Sequence, residues 1–133
     1  MWLWENNKEI EIKEKFRKGI KKMKTIFKKI IDGELESEKV FENERILAIK
    51  DKFPIAPVHL LIMPKKEIAS LQKLKKEDMA LLGEIVQVAQ KLAEEFKVAD
   101  GYRLLTNIGR PSGQTIFHLH FHLIGGRQMG AMG

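Results

Sequence analysis

The stretch Phe117-His118-Leu119-His120-Phe121-His122-Leu123 alternates apolar residues with imidazoles. Alternation with a period of two is the signature of a β-strand, whose successive side chains point to opposite faces. The reading predicts a strand over 116–124, with Phe117, Leu119, Phe121 and Leu123 turned to a core. His118, His120 and His122 then form a row on the other face, each about 6.5–7 Å from the next. Packing alone does not select such a row, because Val or Thr suits a strand face better. Imidazole titrates near neutrality and is a competent nucleophile towards phosphorus. The chain has four histidines. The fourth, His59, lies in a second predicted strand over 58–63 and is expected to converge on the same pocket.

Two kinds of chemistry use such a cluster. Zinc takes imidazole readily, but two histidines at i and i+2 are all that one strand face can offer a single ion. A third at i+4 lies about 13 Å from the first, so His59 or Glu67 would have to complete the set. The loop before the row, Gly109-Arg110-Pro111-Ser112-Gly113-Gln114-Thr115, favours anion chemistry instead. Its glycines let backbone N–H groups approach a phosphate, and its hydroxyl and amide side chains can fix oxygens. Ser112 lacks the Gly-x-Ser-x-Gly frame of a hydrolase nucleophile, and no Walker loop or dinucleotide fingerprint is present.

Outward from this segment, the chain reads as α+β. Glu77–Lys97 carries Leu81, Leu82, Ile85, Val88, Ala89, Leu92 and Phe96 at helical spacing, with Asp100-Gly101 as its stop. Lys39–Glu42 and Arg45–Lys50 flank Asn43 as a hairpin, and Tyr102–Thr106 is a further strand. The expected architecture is an antiparallel sheet of about five strands with one long helix on a face and a short helix before it. At the other end, Ile12, Phe16, Ile20, Met23 and Phe27 make one helical stripe, and Gly33 suits the left-handed position past a helix end. The expected division is a basic amphipathic helical extension over 1–22 and a domain over 23–133, with Met23 a possible natural start.

The 133 residues suffice for one core, and 44% hydrophobic with 32% charged residues is globular composition. The net charge of +6 resides in residues 1–30, while the rest is balanced. A nucleic-acid reader carries its charge on the folded surface, so no nucleic-acid partner is expected. No apolar run approaches a membrane span, and the first residues lack the apolar stretch of a secretory signal. Cysteine is absent. That excludes disulfides, thiolate nucleophiles and cysteine-ligated zinc, and fits a cytoplasmic location.

The closing pattern His-apolar-His-apolar-His with Gly125-Gly126-Arg127 resembles the histidine triad (HIT) family, in particular its branch of small nucleotide-binding purine nucleoside phosphoramidases. Thr25–Ile31, Ala56–His59, Ile62–Lys66, Gly101–Arg103 and Gly113–Thr115 read like that branch in order, from about Thr25 to Met129. The resemblance implies a homodimer that takes an AMP-like purine nucleotide and needs no cofactor. It makes His120 the nucleophile on the α-phosphorus, with a covalent nucleotidyl intermediate. His122 would bind phosphate and assist proton transfer, and His118 and His59 would orient the site. Asn107, Gly113, Gln114 and Thr115 would contact phosphate or leaving-group atoms, and Asp51 the ribose hydroxyls. Glu67 stands where some members have a zinc-ligating histidine, so no metal is implied. Lys52 replaces a small apolar residue near the nucleoside, and the tail after Arg127 lacks an aromatic C-terminus. Related branches with the same nucleophile hydrolyse dinucleoside polyphosphates or transfer nucleotides, and a binding module without turnover is the remaining alternative.

Overall fold

The computed structural model describes residues 23–132. Its first element, helix α1 (Ile26–Ile31), begins at Thr25, whose hydroxyl accepts the Lys28 N–H at 3.1 Å. That cap satisfies a donor with no partner inside the helix. It also interrupts the expected stripe: Met23 lies before the cap and is exposed, whereas Phe27 and Ile30 are buried. Ile12, Phe16 and Ile20, with the rest of the expected 1–22 extension, lie outside the described residues. Gly33 follows the helix at φ 79°, as its position predicts.

Strands β1 (Lys39–Glu42), β2 (Ile46–Lys50), β3 (Val58–Pro64), β4 (Tyr102–Leu105) and β5 (Phe121–Gly125) form one antiparallel sheet in the order β1-β2-β3-β5-β4. Asn43 turns the first hairpin, its Oδ1 accepting the N–H groups of Arg45 and Ile46. Helix α2 (Met79–Glu95) packs on one face. Its buried residues Ile85, Val88, Ala89, Leu92 and Ala93 meet Ile46, Ala48, Leu60, Ile62 and Leu123. On the other face Leu47, Ile49, Leu61 and Met63 pack under Phe27 and Ile30 of α1. Neighbouring residues of β2 and β3 thus serve opposite layers, which is why 46–49 and 60–63 are unbroken apolar runs.

Three expectations need correction. The long helix ends at Glu95, before Asp100-Gly101, because Lys97 takes the left-handed conformation (φ 60°). Its N–H bonds Glu94 O, and that of buried Val98 bonds Ala93 O. Two orphan carbonyls are satisfied and an apolar side chain closes the end, which offsets the strain of a non-glycine residue there. The last strand begins at Phe121, not at 116. Residues 116–120 run past the end of β4, beyond the last residue pairs of the ladder, and Leu119 N bonds Ile68 O instead. Phe117 accordingly turns outward and lies under the Arg110 guanidinium at 5.2 Å, while Leu119 and Leu123 are buried.

Candidate active site

The site lies on the α1 face of the sheet. Leu61 pairs with His122 across β3 and β5, and His59 pairs with Ile124, so His59 and His122 emerge on that one face. Asp51 follows β2, where its N–H bonds His59 O at 2.9 Å and brings its carboxylate beside the same imidazole. His118 and His120 arrive on the segment that precedes β5. Thr106 Oγ1 donates to His120 O at 2.7 Å and ties that segment to the end of β4. The Phe27 ring meets the His120 imidazole edge-on at 4.8 Å between centroids, so α1 forms the wall of the site.

The backbone dictates which ring nitrogen of each histidine carries hydrogen. His120 Nδ1 lies 2.7 Å from His118 O, and a carbonyl can only accept. His120 is therefore an Nδ1–H donor, and its Nε2 keeps a lone pair. His118 likewise donates from Nε2 to Pro64 O at 2.7 Å. The opposite case is His59, whose Nδ1 accepts the Ile55 N–H at 3.2 Å. Its hydrogen is then on Nε2, directed at His122 Nδ1 (2.9 Å) and Asp51 Oδ2 (3.2 Å). His122 consequently accepts at Nδ1 and carries hydrogen on Nε2. The rings of His120 and His122 are 5.2 Å apart between centroids. One presents a lone pair at Nε2 and the other an N–H.

Burial pushes all four imidazoles below their ordinary pKa and keeps them neutral at pH 7. For His122 the value is about 4, through burial first and then the neighbouring His120 and His59. Burial also dominates at His120 and His118, opposed by their bonds to the His118 and Pro64 carbonyls, and at His59, opposed by the Asp51 charge. The Asp51–His59 contact is thus a hydrogen bond from a neutral ring.

Asp51, His59 and His122 each bring a ligand atom within 4.8 Å of the others, a different trio from the one strand spacing suggested. The groups around them do not suit a metal. An ion on His59 Nε2 would move the ring hydrogen to Nδ1, against the Ile55 N–H, whereas ligating histidines direct that hydrogen to an acceptor. The trio is wired as a hydrogen-bond relay.

The glycine loop is placed differently from the reading that its N–H groups cradle an anion. Those of Ser112, Gly113 and Gln114 bond to Gly109 O, Arg110 O and Gly109 O within the loop itself. Gln114 is buried; its amide donates to Ala69 O and Ile116 O and accepts from Gly109 N. The loop is folded on its own polar groups and pinned from within. Thr115 is exposed and Asn107 half-buried, and neither side chain forms a hydrogen bond among the described residues. Alternation found the histidines, but not Thr106, the Phe27 ring contact or the Ile55 N–H, which are contacts between distant segments.

The HIT domain sequence pattern matches residues 32–129. The chain belongs to the HIT domain family. A HIT-like protein from Chlamydia pneumoniae is 56% identical over 108 residues, covering 81% of this chain and 98% of that protein. Among solved structures, a HIT family hydrolase from Clostridium thermocellum is 48% identical with a TM-score of 0.79, over 81% of this chain and 95% of its own. A histidine triad nucleotide-binding protein from Candida albicans is 33% identical with a TM-score of 0.70, over 83% and 84%. In this HIT protein the sheet and the long helix are those of the family, and the histidine-bearing segment lies inside the matched region.

Proposed function

We propose that this HIT protein is a metal-independent nucleotidyl hydrolase that cleaves the P–N bond of nucleoside 5′-phosphoramidates. The observation that carries it is the pair of fixed, opposite tautomers on adjacent rings. His120 Nε2 attacks the α-phosphorus, forming an N–P bond as the bond to the leaving nitrogen breaks. His122 Nε2–H faces the departing group. The proton that enters with the anionic substrate is taken up at the Asp51–His59 end of the relay, and as His122 passes its Nε2 hydrogen to the leaving amine its Nδ1 takes the hydrogen that His59 Nε2 directs at it. Water then attacks the nucleotidyl–His120 intermediate, releasing the nucleoside monophosphate and restoring the imidazole.

Asp51 uses one oxygen for the Phe53 N–H and the other for His59. A carboxylate has further lone pairs, enough to accept ribose hydroxyls as well. Asn107 and Thr115, whose side chains form no hydrogen bond among the described residues, serve as phosphate or leaving-group contacts, and Gln114 and Gly113 shape the loop that carries Thr115. The nucleotide class is supported by the Candida albicans protein and the hydrolytic reaction by the Clostridium thermocellum protein, each through its name. The active form is a homodimer formed at β4, which has a half-buried row of side chains and, among the described residues, pairs with β5 alone.

The test is hydrolysis of adenosine 5′-phosphoramidate by purified protein in excess EDTA, beside His120→Ala. Turnover that survives chelation and falls below detection in the variant, with nucleotide affinity retained, is the expected result. No turnover by the intact protein, or turnover abolished by EDTA, overturns the proposal. Turnover of dinucleoside polyphosphates alone would move the assignment to that substrate class.

A further inference from the structure

The loop between β2 and β3, residues 52–57, holds one end of the relay, yet burial does not hold the loop. Phe53 is 80% exposed and Ile55 60%. Polar contacts set its path instead. Asp51 Oδ1 accepts the Phe53 N–H at 2.7 Å, His59 Nδ1 accepts the Ile55 N–H at 3.2 Å, and Arg127 Nε donates to Ile55 O at 3.1 Å. The first two arise within the loop and its flanks. The third comes from the segment after β5.

That segment is built to reach the loop. Gly126 has φ 91°, and a Cβ there would stand 3.0 Å from Pro57 Cβ, so glycine lets the chain pass this close to the Pro57 ring. The next residue, Arg127, also donates from Nη1 to Gln128 O at 3.0 Å, which fixes the guanidinium at both ends. It therefore grips the carbonyl on one side of the Ile55 Cα, while the N–H on the other side aims at His59.

We infer that Arg127 is a positioning residue for His122, acting through Ile55 and His59 to keep the relay polarised towards an Nε2–H on His122. If the Ile55 peptide turns away, His59 Nδ1 loses its donor and becomes free to carry the hydrogen. His59 Nε2 then becomes an acceptor, His122 must donate from Nδ1, and His122 Nε2 is left without hydrogen. Asp51 Oδ2 biases His59 the same way as Arg127, from the opposite side of the ring, so the loss of Arg127 weakens the polarity without abolishing it. This inference rests on the reaction proposed above, in which His122 Nε2–H faces the leaving group.

The experiment is ¹⁵N NMR of the imidazole nitrogens in the full chain at pH 7.5, paired with phosphoramidate kinetics. The proteins compared are the intact one, Arg127→Ala and Arg127→Lys. The expected spectrum of the intact protein shows His59 and His122 both as Nε2–H. In Arg127→Ala, His122 shifts towards Nδ1–H and kcat falls about tenfold with KM nearly unchanged, a part of the roughly 10²–10⁴-fold that a positioned acid supplies. Arg127→Lys, which keeps a charged donor, recovers part of both. Gly126→Ala, which drives a Cβ against Pro57, disturbs the same contact independently and should shift the spectrum in the same direction. Unchanged His122 tautomers in Arg127→Ala would overturn the inference, as would a raised KM with kcat intact, which would mean that Arg127 meets the substrate directly. The spectra are read without substrate. A tautomer shift in a protein that hydrolyses no phosphoramidate would therefore uphold the positioning role and refute the reaction alone.

Discussion

Lowering the pH from 7 to 4 should cost the folded state about 3 kcal/mol through His122 alone. In the unfolded chain this imidazole binds its proton near 6.5, and in the folded protein only near 4. Between those values the unfolded chain holds a proton that the folded protein does not, so stability rises with pH and is lost as acid is added. A gap of about 2.5 pH units at about 1.36 kcal/mol per unit gives the stated figure. His59, His118 and His120 are shifted the same way by burial and deepen the loss. The carboxylates of Asp32, Glu42 and Asp78 are held below their ordinary range by lysines. Their contributions fade at lower pH and mostly leave the histidine window alone. The control is His122→Asn, which does not titrate and keeps an oxygen where Nδ1 accepts from His59. Urea unfolding of both proteins at pH 7.5, 6.5, 5.5 and 4.5 should give curves that converge towards acid, the parent losing more than the variant over this range. Parallel curves would refute the claim that His122 is buried and neutral.

If His120 is the nucleophile, the pH dependence of kcat/KM follows it: with His120 held below 6.5 by burial, the acid limb should be centred below that value. An acid limb centred at or above 6.5 would contradict this. Thr25→Ala removes the cap of a six-residue helix and should lower stability by about 1 kcal/mol. Because that helix carries Phe27 against His120, kcat should fall as well, measured by turnover well below the melting temperature. Gln114→Leu strands the Gly109 N–H and the Ala69 and Ile116 carbonyls, and should cost roughly 3 kcal/mol in denaturant unfolding. A loss under 1 kcal/mol would show that water replaces the amide.

Much of this was legible in the residues. Asn43 as a hairpin turn, the α2 residues Ile85, Val88, Ala89 and Leu92 and the strand expected over 58–63 are local patterns, and each appears within a few residues of its expected place. The misplaced boundaries share a cause. Lys97 stands in for a glycine because Val98 has a buried place to go, and residues 116–120 leave the sheet because β4 has ended. Neither fact is local. The loop over 109–115 misled for a similar reason: glycines that could expose N–H groups to an anion use them to close a turn.

By itself the sequence determined the class of fold and the segment that carries three of the four histidines, because periodicity and spacing are properties of the chain, and its motifs carried the resemblance to the family. Only the tertiary structure decided the polarity of the site. Nothing in His-x-His-x-His states that His120 keeps a lone pair at Nε2 while His122 carries hydrogen there. That follows from a carbonyl beside one ring and, at the far end of a relay, the N–H of Ile55. An imidazole takes its tautomer from the donor or acceptor it meets, and those partners come from segments that folding alone brings together.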